Sequence, residues 1–317
     1  MKQTDKSNTR PLISICVPVL NEEGSILHLI ERFESLKSRL MDSYRFEYIF
    51  TDNKSTDNTW EILNEMSLTH PEIRAFQFGK NIGFQKSILF NYKQAKGDAV
   101  IQIDADLQDP PEIIETFLKY WEQGYKVVSG VREDRKESNL MKLFRSMGYW
   151  FIDVSSEHPI KRNTGDFRLI DRAIVDALGG IKSPNPYLRG VISGMRLTEK
   201  DVYYKRDARL NGESKFGVKE LIKLGLTGFS NHSKLPLKIA NFVGFLSLAL
   251  SVIGFIYFIA LKFYQPNLPR GFASLYVMIL FGIGVNSILL GVVGSYIRKI
   301  YEVMSGEDPI IVTRRID

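Results

Sequence analysis

A chain of 317 residues is long enough for two domains of ordinary size, and its formal charge of +6 comes without the dense basic stripe that a nucleic-acid binder needs. The single cysteine, Cys16, excludes an intramolecular disulfide and fits a reducing compartment, where it reads as a small buried hydrophobe. Residues 1–11 are polar with no apolar core, so no signal peptide is expected there. Strand-like runs follow at 13–19, 46–51, 73–78, 99–103 and 126–131, alternating with helical patterns at 25–40, 57–68, 84–95 and 111–123. Alternation of this kind predicts an open, mostly parallel α/β sheet with helices on both faces. Thr56 or Asp57 is placed to cap the second helix.

The composition changes further along. Residues 239–261 and 272–297 are runs of 23 and 26 residues without a charge. At about 1.5 Å of rise per residue, each is long enough for the roughly 30 Å of a bilayer core. They predict two transmembrane helices joined by a short hairpin. Lys219, Lys223, Lys234 and Lys238 precede the first run and Arg298, Lys299, Arg314 and Arg315 follow the second, whereas the hairpin carries only Lys262 and Arg270. That asymmetry puts both ends of the chain in the cytoplasm. Residues 216–233 are amphipathic and suit the membrane interface, with His232 an interfacial polar residue. The expected organisation is a cytoplasmic domain over 1–215, an interfacial segment over 216–235, the two spans within 236–298 and a tail over 299–317. Small residues at Gly282, Gly284, Gly291 and Gly294 would let the helices of a homo-oligomer pack closely.

The strand ends are chemically loaded. The first strand runs into Pro18, Asn21 and Glu22, the second into Asp52 and Asn53, and the fourth into Asp104, Asp106, Gln108 and Asp109. In a parallel sheet these ends converge on one edge, where such folds bind ligands. On an extended strand Asp104 and Asp106 share a face. Two carboxylates held together repel, and an all-oxygen set favours Mg²⁺ or Mn²⁺ between them. Asp109 reads as the cap of a helix starting at Pro110 and Pro111. Neither a Gly-x-Gly-x-x-Gly fingerprint nor a P-loop is present, so a dinucleotide or P-loop nucleotide site is not expected. Polar groups suited to a base and ribose, next to a carboxylate pair suited to a metal-bound diphosphate, describe a nucleotide-sugar donor.

With these segments in view, 14–23, 104–112, 163–172 (Asn-Thr-Gly-Asp-Phe-Arg-Leu-Ile-Asp-Arg) and 212–216 (Gly-Glu-Ser-Lys-Phe), followed by two apolar runs, the chain resembles the inverting polyisoprenyl-phosphate glycosyltransferases of the GT-A fold. The resemblance spans nearly the whole chain. It implies a metal and diphosphate site at Asp104, Asp106 and Gln108. It further implies a nucleotide pocket at Pro18, Asn21, Glu22 and Asp52 with Asn81 and Gly83 in its floor, and a clamp on the donor diphosphate from Arg209, Ser214 and Lys215. Arg132, Lys142 and Ser146 are the implied ligands of the lipid phosphate, and Asp166 the nominated base. One departure stands out: the family pairs aspartates at the second strand, whereas this chain has Asp52-Asn53. The implied reaction moves a hexose, glucose from UDP-glucose first among the options, to a polyisoprenyl phosphate on the cytoplasmic leaflet of a bacterial inner membrane. Mannose, galactose, N-acetylated sugars and aminoarabinose derivatives remain open as alternatives. A processive polysaccharide synthase would carry a Gln-x-x-Arg-Trp motif, which is absent. A non-catalytic, membrane-anchored nucleotide-sugar binding protein is disfavoured by the intact Asp104, Asp106 and Asp166.

Overall fold

A computed structural model describes residues 10–133, 164–181, 186–206, 272–304 and 309–317, with shorter helical pieces between 242 and 264. The sheet elements run β1 (Leu12–Val19), α1 (Ile26–Leu40), β2 (Arg45–Asp52), α2 (Thr59–Ser67), β3 (Ile73–Phe78), α3 (Phe84–Gln94), β4 (Ala99–Gln102), α4 (Ile113–Glu122) and β5 (Val127–Arg132). They continue with β6 (Thr164–Asp171), α5 (Arg172–Gly179), α6 (Leu188–Gly194) and β7 (Glu199–Tyr204), then α7 (Phe272–Met304) and β8 (Val312–Ile316). All eight strands form one sheet in the order β7-β5-β6-β4-β1-β2-β3-β8.

The central strands β4, β1, β2 and β3 are parallel, as the alternating pattern predicts. The sheet is nonetheless mixed, because β6 runs antiparallel to both β4 and β5, and β8 runs antiparallel to β3. Parallel strands buried on both faces read as continuous apolar runs, and Ile13, Ile15, Val17 and Val19 on one face with Cys16 on the other are all buried.

Two separate cores sandwich the sheet. On one side α1 buries Ile26, Leu29, Ile30, Phe33 and Leu36, a helical spacing, together with Trp60 and Leu63 of α2 and Ile114, Phe117 and Leu118 of α4. On the other, Ile88, Leu89 and Tyr92 of α3 and Ile174, Val175 and Leu178 of α5 cover Cys16, Ile49, Val100 and Ile170. Each such side chain contributes about 1.5–3 kcal/mol when fully buried.

The chain divides into two compact units, the sheet domain with β8 and a helical unit that contains α7. Within α7 the stretch Phe281–Arg298 is long and apolar enough to cross a membrane, and none of it is buried. It is one such helix among the described residues; the expected first span, at 239–261, lies mostly outside them, as does the amphipathic segment. Residues 312–316, expected in a tail, instead form the β8 edge strand.

Candidate active site

The strands carry their candidate site residues to one edge of the sheet. β1, β2, β3 and β4 end there, β5 and β7 end there at Arg132 and Tyr204, and antiparallel β6 begins there with Thr164, Gly165 and Asp166. Three loops at this edge turn through left-handed backbone at residues other than glycine: Asn21 (φ 56°), Lys54 (φ 68°) and Leu107 (φ 58°). Such conformations are uncommon and concentrate at functional sites, where surrounding contacts hold them.

The first two loops brace each other. Asn21 Oδ1 accepts from Thr56 N at 2.8 Å, its own N–H donates to Ser55 Oγ at 2.9 Å, and the Glu22 N–H donates to Thr59 Oγ1 at 2.9 Å. Pro18 is buried and stands in register with Thr51. Asp52 is fully buried and accepts from Ser55 N at 2.8 Å and Gln77 Nε2 at 2.7 Å, so it fixes the loop from within. Asn53, at the departure from the family pattern, donates to Ser87 Oγ at 2.6 Å and ties β2 to the start of α3. Asn81 Oδ1 accepts from Gly83 N at 2.8 Å, and Gly83, at φ 89°, makes a turn that a side chain would strain.

The acidic segment differs from the strand expected. β4 ends at Gln102, so Asp104 and Asp106 occupy a turn, and the pleat does not align them. The turn closes when Asp106 Oδ1 accepts from Gln108 N at 3.2 Å. Asp166 lies two residues before Arg168, the partner of Gln102, and is close enough for its charge to act on Asp104. Asp104 Oδ1 is buried with no hydrogen-bond partner among the described residues. Burial, reinforced by the charges of Asp109, Asp166 and Asp106, pushes the Asp104 carboxyl up to about 7.

Asp109 does not cap the following helix, which begins only at Ile113. Its fully buried carboxylate accepts from Tyr204 Oη at 2.6 Å and Arg132 Nη2 at 3.1 Å, and Arg206 Nε lies 3.5 Å away. Arg206 also stands 3.8 Å from Asp106. Arg132, expected at the lipid phosphate, is thus paired with Asp109. Its guanidinium passes so close to Gly165 that a Cβ there would stand 2.9 Å from Nη2.

Asp166 is nearly buried, 3.2 Å from Arg189 Nε and 3.9 Å from Arg168 Nη2, and it accepts from Gln85 Nε2 at 3.3 Å. Arg172 serves elsewhere, on the Gly97 and Ala95 carbonyls. Sequence reasoning missed Arg189, Arg206, Tyr204 and Gln85. Only Arg206 had a signal, as part of a charged pair directly after a strand. Arg209, Ser214, Lys215, Lys142 and Ser146 lie outside the described residues.

Residues 14–179 match Glycosyl transferase family 2, just over half of the chain. The chain belongs to that family. This family 2 glycosyltransferase is 38% identical over 293 residues to "Uncharacterized glycosyltransferase YkcC" of Bacillus subtilis (strain 168), covering 91% of this chain and 89% of the relative. It is 34% identical over 295 residues to the "Bactoprenol glucosyl transferase" of Shigella phage SfV, covering 91% and 94%. Among solved structures it is similar to glucosyl-3-phosphoglycerate synthase from Mycobacterium tuberculosis, with a TM-score of 0.48 and 18% identity over 69% of this chain and 78% of that one.

The donor set of the glycosyltransferase fits a hard divalent cation. Asp104, Asp106 and Gln108 offer oxygen ligands only, and the orphaned Asp104 Oδ1 is a buried acceptor awaiting a positive partner. A second acidic group, Glu34, His70 and Glu72, has ligand atoms within 4.8 Å of one another, but Lys37 Nζ bonds to Glu72 and already supplies the positive charge.

Proposed function

We propose that this chain transfers a hexose, glucose from UDP-glucose first, to a polyisoprenyl phosphate with inversion at the anomeric carbon. The observation that carries the reading is the nearness of Asp104 and Asp166 at the loaded sheet edge, one with a buried unpaired oxygen and the other backed by guanidinium groups. Similarity to a protein named bactoprenol glucosyl transferase, over nearly the full length of both chains, supports a lipid carrier as acceptor.

A divalent cation held by Asp104, Asp106 and Gln108 would supply the charge that a departing nucleoside diphosphate needs. The chain's own residues do the rest. Asn21, Glu22 and the loop anchored by Asp52 shape the nucleotide end. Arg209, Ser214 and Lys215, outside the described residues, are the proposed ligands of the donor diphosphate. Asp166 orients the acceptor and removes a proton only from its monoanionic fraction, since a phosphate monoester with a second pKa near 6 is mostly dianionic at neutral pH. Tyr204 and Asp109 keep Arg132 and Arg206 fixed beside the acidic turn.

A lipid acceptor calls for an enzyme at a membrane, and the basic residues flanking the two apolar runs favour the cytoplasmic face. β8 supports two spans. It belongs to the same sheet as β1–β7, so every membrane crossing between Arg206 and Val312 must be matched by a return. The α7 helix would be one crossing and the run at 239–261 the other.

The test is transfer itself. Membranes containing the protein are incubated with undecaprenyl phosphate and a panel of radiolabelled nucleotide sugars, with Mg²⁺ or Mn²⁺ or with chelator. Metal-dependent label in the organic phase from UDP-glucose supports the proposal. Label from another sugar revises the donor, and hydrolysis of donor without lipid product overturns the acceptor.

A further inference from the structure

Helix α6 brings Arg189 against the carboxylate nominated as base. Arg189 Nε lies 3.2 Å from Asp166 Oδ1, and Nη1 donates to Thr164 O at 3.3 Å. The Nε has no hydrogen-bond partner among the described residues, because it sits beside the carboxylate without pointing at it. The neighbouring Arg168 behaves differently. It is almost wholly buried, gives a 2.7 Å hydrogen bond to Gly165 O and stays 3.9 Å from Asp166, the marks of a structural cation. The Arg189 side chain is 36% exposed, so it reaches from the buried carboxylate to open solvent.

A phosphate monoester entering beside Asp166 meets a carboxylate, which raises the cost of a second anion nearby. Arg132 and Arg206 are engaged with Asp109. Arg189 stands on the Asp166 flank with one anchor on a backbone carbonyl and a loosely held Nε. Should it turn away, Asp166 keeps its hydrogen bond from Gln85 and the nearby charge of Arg168. The turn that carries Arg189 is firm: the Tyr187 ring lies over Gly190, where a Cβ would stand 2.4 Å from Cδ1.

We propose that Arg189 is a ligand of the acceptor phosphate. In the resting site its guanidinium rests against Asp166; with acceptor present it faces the phosphate monoester and holds it beside that carboxylate. A planar fork of donors suits phosphate better than a lysine ammonium does. This assignment rests on the reading that the acceptor is a lipid phosphate.

The experiment uses the full chain in lipid nanodiscs, as wild type, Arg189→Gln and Arg189→Lys. It measures direct binding of undecaprenyl phosphate, the acceptor KM and kcat with UDP-glucose, and the UDP-glucose Kd. A charge-assisted hydrogen bond predicts an acceptor KM and lipid Kd raised by roughly 10–100-fold in Arg189→Gln, with partial rescue by Arg189→Lys and an unchanged UDP-glucose Kd. Wild-type and Arg189→Gln proteins that bind the lipid equally would overturn the assignment and leave the proposed reaction standing. So would a fall in kcat at constant KM with a displaced pH profile, since Arg189 would then serve only Asp166. A wild-type protein that binds no lipid phosphate would overturn both.

Discussion

At the scale of single residues, Asp104 combines a buried oxygen that has no partner among the described residues with a carboxyl pushed up by burial. Its carboxyl stays protonated up to about pH 7 in the metal-free fold, whereas it ionises near 4 in an unfolded chain. The folded state therefore holds the extra proton, and the stability tied to it is lost as pH rises from about 4 through about 7. Asp104→Asn should accordingly raise the melting temperature of metal-free protein at pH 8 and abolish the further rise that Mn²⁺ gives the wild type, both read by thermal shift. Because a protonated carboxyl binds no cation, metal affinity in the wild type should climb about tenfold per pH unit below pH 7 and level off above it, measured by calorimetry. Asp166→Asn tests the other carboxylate. A loss of kcat smaller than about 10⁴-fold, relieved at high pH where the acceptor is fully dianionic, is expected if Asp166 mainly orients; a larger loss that ignores pH would make proton removal obligatory. The identities of Asp104, Asp106 and Asp166 were legible because carboxylates at strand ends leave a pattern in the sequence. Their partners were not. Arg189 lies 23 positions beyond Asp166 on a short helix, and nothing in local spacing shows that α6 packs back toward the start of β6.

At the scale of elements, hydrophobic periodicity located the first five strands and four helices within about two residues of their observed bounds. Those elements bury one continuous apolar face each, which is the signal that periodicity reads. The strand β4 ended one residue early because the chain leaves the sheet at Ile103 to enter the turn around left-handed Leu107. The later elements were harder. β6 carries Asp166, Arg168 and Asp171 among its apolar residues, and β8 reads Val-Thr-Arg-Arg-Ile, which looked like a basic flank of a membrane span. Its arginines have structural tasks: Arg314 Nη1 pairs with Glu61 at 3.2 Å, and the Arg315 guanidinium lies 5.4 Å from the Phe76 ring centroid. Without β8, the β3 edge would present unpaired backbone groups next to the loop that holds Asn81. Deleting residues 311–317 should lower the melting temperature by several degrees and speed hydrogen exchange across 73–78; unaltered exchange there would show that the edge strand adds nothing to the sheet.

For the whole molecule, the return of the chain to its own sheet after α7 constrains topology more firmly than the distribution of basic residues does. Reporters fused before Met1 and after Asp317 should both signal a cytoplasmic location, and a reporter placed at Gln265 in the expected hairpin should signal the opposite side. A hairpin reporter on the cytoplasmic side would rule out the two-span arrangement. The same strand also imposes an order on biosynthesis. Thr313 Oγ1 donates to the carbonyl of Gln77 across a sequence separation of 236 residues. At about 5–20 residues per second, a ribosome needs roughly 10–50 s between making the β3 edge and making the strand that covers it. In that interval the apolar runs leave the ribosome, so the sheet is sealed only after those runs have been synthesised. Completion of the catalytic domain thereby becomes a late step of synthesis, and chains that stall in the apolar region are left with an open edge available to proteases and chaperones.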